Sequence, residues 1–129
     1  MAEDLDTRAK VLIQLAERCE AAPGCDRDLE GDIYQSLGGE AFWGARTPDG
    51  RRDVRNPVPH YTLSLDAAML LVPEGWATFL AAEDRHSHSW RWELRGGYGI
   101  KVTARANGPA KALTAAALLA QATQHTTPT

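Results

Sequence analysis

The sequence predicts an α+β domain, in which helices pack on one face of a three-stranded antiparallel sheet and two extra helices come first. Apolar side chains recur every three or four positions near the N-terminus, the period of an amphipathic helix. Between positions 86 and 105, apolar and polar side chains alternate, as in a strand with one buried face. Gly96-Gly97 interrupts this alternation, where a hairpin turn is expected to join two strands.

The N-terminal half contains two helices and a long loop. The first helix is predicted over residues 3–21 and ends before Pro23-Gly24. The second is predicted over residues 26–37 and ends at Gly38-Gly39. Glycines and prolines punctuate residues 40–60, which are therefore expected to form a loop.

The C-terminal half supplies the sheet and the helix that covers it. A short third helix is predicted from Leu65 to Val72, before Pro73. The strands and the last helix are expected at residues 77–82, 88–95, 98–106 and 109–121. Residues 122–129 are expected to form a flexible tail, so that the single domain spans residues 1–121.

Composition excludes several classes of protein. The 129 residues are 43% hydrophobic and 24% charged, close to the globular average, so general disorder is excluded. No apolar run approaches the ~20 residues that span a bilayer. The first residues are acidic, whereas a secretory signal peptide begins basic and then becomes apolar. We therefore expect a cytoplasmic protein without a membrane segment.

Alternation along the predicted hairpin separates two faces. Trp90, Trp92 and Leu94 share the apolar face, which the helices should cover. The opposite face carries five basic residues and one acid: Arg85, Arg91, Arg95, Lys101, Arg105 and Glu93. One interpretation is a solvated face with cross-strand pairs such as Glu93 with Lys101. The other is a basic platform for an anionic partner.

Further candidate ligand-binding residues lie outside the hairpin. Arg51, Arg52 and Arg55 occupy the predicted loop, where they could be simply solvated or could fold over a ligand. Trp76 and Tyr61 flank the short helix, and we expect these two rings to be less fully buried in the core than Trp90 and Trp92. Together with Arg91, Arg95, Lys101 and Arg105, these residues form the predicted site.

The sequence offers little support for catalysis. It contains no nucleophile elbow and no phosphate-binding loop, and neither cysteine belongs to a reactive motif. Asp84, His86 and His88 alternate along a strand, but no fourth ligand follows at a recognisable spacing. We therefore expect a protein that is not an enzyme and has neither a cofactor nor a metal.

Several segments resemble a known family. They are Asp28–Ile33 (DLEGDI), Leu37-Gly38, Tyr61–Ala68 (YTLSLDAA), Leu71–Trp76 (LVPEGW) and Gly108–Leu118 (GPAKALTAAAL). Together they resemble the small phage and prophage proteins called phage ABA sandwich domains, over most of residues 26–121. This group overlaps the phage sponges that counter bacterial immune systems such as CBASS. The resemblance implies a phage-encoded protein of the host bacterial cytoplasm that binds a cyclic di- or trinucleotide signal without cleaving it.

Two alternatives stay open. A phage structural or adaptor protein would use the same faces for protein contacts. The order of helix, three strands and helix from Leu65 to Gln121 also resembles the double-stranded RNA-binding domain, whose last helix begins with a lysine cluster. Here Lys111 stands alone, and a net charge of −3 with a pI near 5.8 disfavours binding to long nucleic acids.

Uneven charge predicts self-association. Residues 1–40 hold 10 acidic and 4 basic side chains, whereas residues 41–129 hold 7 and 10. The first helix also has more apolar positions than a small sheet needs to cover it. We therefore expect a homo-oligomer that assembles partly through residues 3–37.

Overall fold

A computed structural model describes residues 5–22, 24, 27–37, 42–46, 52–55, 58–84 and 89–126. Within these residues the helices are α1 (Leu5–Ala21), α2 (Arg27–Ser36), α3 (Leu65–Met69) and α4 (Pro109–Thr126). The strands are β1 (Phe42–Arg46), β2 (Arg52–Arg55), β3 (Ala77–Asp84), β4 (Ser89–Arg95) and β5 (Lys101–Ala106). The α+β class and the three-stranded antiparallel sheet, with order β3-β4-β5, are confirmed.

Cross-strand register places the predicted apolar face against the helices. Residues directly opposite each other in an antiparallel pair project to the same side of the sheet. Trp92 pairs with Ala104, and Leu94 pairs with Val102. Val102 is partly buried, and the other three are buried. Because α4 contacts both β4 and β5, this side is the helix-covered face of the sheet.

The central element is α4, which contacts the sheet, α1 and α3. Every residue from Ala110 to Leu118 is buried, so this helix has almost no solvent-facing side along that stretch. Its many alanines allow neighbouring elements to approach closely on several sides, since each projects only a methyl group. A helix that is apolar all round is typical of the middle of a core.

Polar side chains on α4 connect it to its neighbours. Lys111 is only 5% exposed, and its Nζ donates to the carbonyl of Ala22 at 2.8 Å and to Asn107 Oδ1. On another side, Thr114 Oγ1 donates to the carbonyl of Tyr61 at 2.7 Å. Each bond satisfies a buried polar group, as an apolar environment requires.

A buried carboxylate fastens α2 to the segment that precedes α3. Glu30 is fully buried, and its Oε2 accepts from the Thr62 N–H at 2.8 Å and from Thr62 Oγ1 at 2.6 Å. Arg27 Nη1 donates to Glu30 Oε1 at 2.7 Å and also to the carbonyls of Val58 and Pro59. The charge is therefore paired and hydrogen-bonded, the condition under which burial of a carboxylate is tolerated.

The loop predicted over residues 40–60 is corrected by the structure. β1 and β2 pair antiparallel, with Phe42 opposite Arg55 and Trp43 opposite Val54. Glycine and proline favour a loop here, but Gly44 lies inside β1. Pro48-Asp49-Gly50 lies outside the described residues. β2 packs against α2.

Several element boundaries also differ from the predicted ones; β3, for example, extends to Asp84 instead of ending at residue 82. α4 continues to Thr126, so residues 122–126 are helical rather than part of a flexible tail, and Ala122 is buried there. α3 ends at Met69. The chain then continues in a tighter turn, in which the Leu71 N–H donates to the carbonyl of Ala68 and the Val72 N–H to the carbonyl of Met69. β5 begins at Lys101, after a 3-10 turn over Gly97–Gly99.

Candidate ligand-binding face

The face of the sheet opposite α4 carries four cations in two directly opposed pairs. Arg91 on β4 lies opposite Arg105 on β5, and Arg95 lies opposite Lys101. We call these four residues the basic strip. Glu93 and Thr103 form the row between the two pairs. All four basic side chains are at least partly solvent-accessible.

Electrostatics within the basic strip is only partly compensated. Glu93 Oε2 accepts from Arg95 Nε at 2.9 Å, which neutralises one end of the strip. Arg91, Lys101 and Arg105 make no side-chain ion pair with any residue that the structure describes. Like charges directly opposite each other destabilise a strand pair. The Arg91–Arg105 pair therefore lowers the stability of the fold.

The geometry of a sheet sets the spacing of the two pairs. Arg91 and Arg95 are four residues apart on one strand, which corresponds to about 13 Å. Within each pair the Cβ atoms of directly opposed residues are about 5 Å apart. Each pair is therefore close enough to hold one anionic group between two cations. At the Arg95–Lys101 pair, that group competes with Glu93 for Arg95.

Of the two predicted rings, Trp76 lies at the Arg95 end of the sheet but on the other side, because it packs against the core and on the side that Gly96 faces. Its indole packs on Gly96, the residue after Arg95, so tightly that a Cβ at Gly96 would lie 2.7 Å from Trp76 Cε2. Gly96 itself donates its N–H to the carbonyl of Ile100 at 2.9 Å, which closes the turn that leads into β5. Trp76 is partly buried against the core and partly accessible at this end of the sheet.

Tyr61 occupies a different environment from the one its sequence position suggested. It is only 3% exposed and belongs to the core cluster. Burial raises the pKa of its hydroxyl to about 12, and the neighbouring Tyr34 and Glu30 add to the increase. A ring enclosed in this way offers no free face to a ligand.

The arginines predicted on the loop are not gathered at the basic strip. Arg52 and Arg55 begin and end β2, which packs against α2. No substantial packing joins the β1–β2 hairpin to β3, β4 or β5 within the described part of the chain. Arg51 lies outside the described residues. The structure therefore brings together four of the predicted basic residues, and it leaves Arg52, Arg55 and Trp76 elsewhere.

A shallow cleft at the other side of β5 does not compete with this face. It lies between α1, β5 and α4, has a volume of about 230 Å³, and is lined by Ile13, Val102, Thr103, Leu119, Ala122 and Thr123. Pockets for drug-sized ligands are larger, from about 300 Å³ upwards. No charged side chain lines the cleft, so it lacks a partner for an anionic ligand.

Sequence reasoning missed two buried charges, Glu30 and Lys111. For Glu30, the apolar neighbours Leu29 and Ile33 on α2 were a usable signal, and both of them are fully buried. Three or more potential metal-ligating side chains do not cluster anywhere among the described residues. His86 and His88, considered above as metal ligands, lie outside them.

Comparison with known proteins adds no relative. No protein-family model matches the chain, and neither a curated protein nor a solved structure matches it. The resemblance to phage ABA sandwich domains therefore stays a prediction. None of the helices in the described segments has the length and apolar character needed to cross a membrane.

Proposed function

We propose that the protein is a phage-encoded anti-defence protein that binds a cyclic oligonucleotide immune signal on the basic strip. It sequesters the signal in the host bacterial cytoplasm and does not cleave it. The observation that carries this proposal is the direct opposition of Arg91 with Arg105 and of Arg95 with Lys101. A bound phosphate relieves the repulsion between Arg91 and Arg105, since it places a negative charge between two cations.

Ligand chemistry follows from the side chains at the site. Guanidinium groups recognise phosphate through two parallel N–H donors, which favours the arginines of the strip as phosphate ligands. Guanidinium planes also stack on aromatic rings, so the arginines can hold a base as well as a phosphate. Trp76, which packs against the core on the other side of the sheet, is not needed for this role. A cyclic di- or trinucleotide offers both parts, phosphates and flat bases, in one small molecule.

Sequestration without cleavage suits the composition of the strip. Its described side chains are cations, Thr103, and a carboxylate that is already paired with Arg95. Such a set binds phosphate, but it lacks a base placed beside a nucleophile among these residues. The bound nucleotide is therefore expected to leave the protein chemically unchanged.

Calorimetry against cyclic di- and trinucleotides, with and without guanine, tests the proposal. Each charge-assisted contact contributes about 1.5–3 kcal/mol. Arg91→Ala or Arg95→Ala should therefore weaken binding by about ten- to a hundredfold. Arg18→Ala is the matched control, because it removes the same charge from an exposed pair with Asp32 between α1 and α2. The control should bind as the wild type does.

Two results would contradict the proposal. One is the absence of binding to every such nucleotide at tens of micromolar, and the other is an equal loss of affinity in the Arg18→Ala control. Mass spectrometry of nucleotide released by heating provides a separate check on catalysis. An altered nucleotide in the supernatant would show that the protein is an enzyme.

A structural or adaptor protein is the second candidate function, and a specific observation favours it. Leu63, Leu65, Met69 and Leu70 are between 41% and 72% exposed. Exposed apolar side chains grouped in one short segment are typical of protein contact surfaces. The double-stranded RNA interpretation has less support, because Lys111 is buried and donates to Ala22 and Asn107.

A further inference from the structure

The two edge strands of the three-stranded sheet, β3 and β5, differ in what their outer backbone groups contact. At the β5 edge, Glu20 of α1 accepts a hydrogen bond from the backbone N–H of Arg105 at 3.1 Å. At the β3 edge, no strand pairs with β3 on its outer side within the described residues. β3 runs from Ala77 to Asp84 and contains neither lysine nor proline, the residues that commonly protect an exposed edge.

The helix side of β3 is also uncovered. Thr78, Ala81 and Glu83 lie opposite Leu94, Trp92 and Trp90, so they project to the helix-covered side of the sheet. All three are nevertheless exposed. The reason is that α4 packs on β4 and β5 and has no substantial packing with β3 among the described elements.

An apolar surface lies close to this bare strand along the chain. The α3 patch, which consists of Leu63, Leu65, Met69 and Leu70, is exposed to 64%, 41%, 48% and 72%. α3 packs on α4, so the patch belongs to the same side of the sheet as the uncovered face of β3. An open strand edge and an exposed apolar patch are thus found in consecutive elements.

We infer that a second copy of this chain occupies the β3 edge, with the two β3 strands antiparallel about a two-fold axis. The charges of the strand favour this partner and this direction. Both acids, Glu83 and Asp84, lie at one end, and the other end, Ala77 and Thr78, is uncharged. Antiparallel pairing sets the acidic end of each strand toward the uncharged end of its partner, whereas parallel pairing would set the acids side by side.

Local regularity and symmetry support the same arrangement. The register of β3 with β4 shifts between Thr78 and Leu80, and from Leu80 to Asp84 it is regular. That stretch is free of the bulge and suits continued pairing. Two-fold symmetry brings both α3 patches to one side of the joined sheet, the side on which the two β3 strands are uncovered.

The joined sheet would have consequences for the basic strip, and this step rests on the proposed function. Both strips lie on the same face of a six-stranded sheet. The two β4 strands are separated by three strand spacings, about 14 Å. Arginines of both protomers are then near enough to contact one ligand that straddles the two-fold axis, which encloses the ligand better than one small sheet does.

Light scattering coupled to gel filtration tests the dimer without any ligand. At tens of micromolar the mass should be twice the 14.1 kDa of one chain. The double variant Met69→Gln/Leu70→Gln should weaken dimerisation at least tenfold. Val11→Gln tests the alternative interface, because Val11 is 40% exposed on α1, within the segment 3–37 that charge asymmetry predicts to take part in assembly. An interface at the β3 edge leaves this variant dimeric.

Hydrogen exchange of the wild type supplies a second measurement that needs no variant. The outward-facing amides of β3 should become more protected as protein concentration rises, while the amides of α2 should not change. A monomer at 200 µM would overturn the inference and leave the edge to an extended peptide. A dimer that Val11→Gln disrupts and Met69→Gln/Leu70→Gln does not would also overturn it. Neither result depends on nucleotide binding, so the proposed function stands or fails separately.

Discussion

The two faces of the three-stranded sheet are built from alternate residues of the same strands, yet they have different physical origins. On β4, Trp92 and Leu94 are buried beneath α4, and their burial is what holds the sheet to the helices. On the other face, Arg91 is directly opposed to Arg105. The burial of Trp92 and Leu94 stabilises the fold, whereas the repulsion between Arg91 and Arg105 destabilises it. Residues that the fold does not need are therefore concentrated on the face that no helix covers.

The largest expected effect comes from Trp92 on the helix-covered face. Trp92→Ala should lower the free energy of unfolding by about 3–5 kcal/mol, because a large ring leaves a cavity that the core cannot fill. The indole Nε1 of Trp92 is buried and has no hydrogen-bond partner among the described residues. Trp92→Phe should therefore cost much less, since it also removes an unpaired donor. Thermal or denaturant unfolding measures both, and an unchanged melting temperature for Trp92→Ala would contradict this account of the face.

An intermediate effect is expected from the pH dependence of stability. The pKa of Tyr61 is raised to about 12 in the fold, from 10.0 when unperturbed. Above pH 10 the unfolded chain therefore loses this proton while the folded protein keeps it, and stability falls as pH rises toward 12. The decline should reach about 2–3 kcal/mol and should be absent in Tyr61→Phe. Urea unfolding across this pH range measures it, and parallel declines in both proteins would rule out Tyr61 as the source.

The smallest effect is expected on the bare face, and its sign is reversed. Arg105→Thr should raise the free energy of unfolding by about 0.2–0.5 kcal/mol, because it ends the repulsion with Arg91 and introduces a good strand former. Salt should reduce the gain by screening the repulsion in the wild type. Arg18→Thr, in an exposed ion pair, should give no gain. A loss of stability above 1 kcal/mol in Arg105→Thr would show that this arginine supports the fold.

Patterns of short range predicted the sheet and its two faces. Alternation in strands has a period of two residues. It therefore assigns Trp90 and Trp92 to one face and the cations to the other without any knowledge of the partner strand. Register was out of reach, because it depends on the turn. The turn from Gly96 to Ile100 contains a 3-10 segment and a positive φ of 75° at Gly99, which a simple two-residue hairpin does not have. The direct opposition of like charges follows from that register.

Tertiary contacts explain the predictions that were wrong or incomplete. Tyr61 is polar enough for a surface, and its burial depends on elements far along the chain, including the Thr114 hydroxyl that donates to its carbonyl. Residues 40–60 contain turn formers at short intervals, and a hairpin and a loop share that composition. The pairing of β1 with β2 and its packing on α2 decide between them.

The bond from Lys111 to the Ala22 carbonyl has a consequence for the order of synthesis. It joins positions 89 residues apart, at the beginning of α4 and just after the end of α1, and these two helices pack along each other. On the ribosome, α1 therefore emerges long before the helix that buries its Leu12 and Leu15. Its apolar side stays exposed to solvent, and to chaperones that bind such surfaces, until α4 has been translated. Native assembly of this small domain thus waits for its last helix.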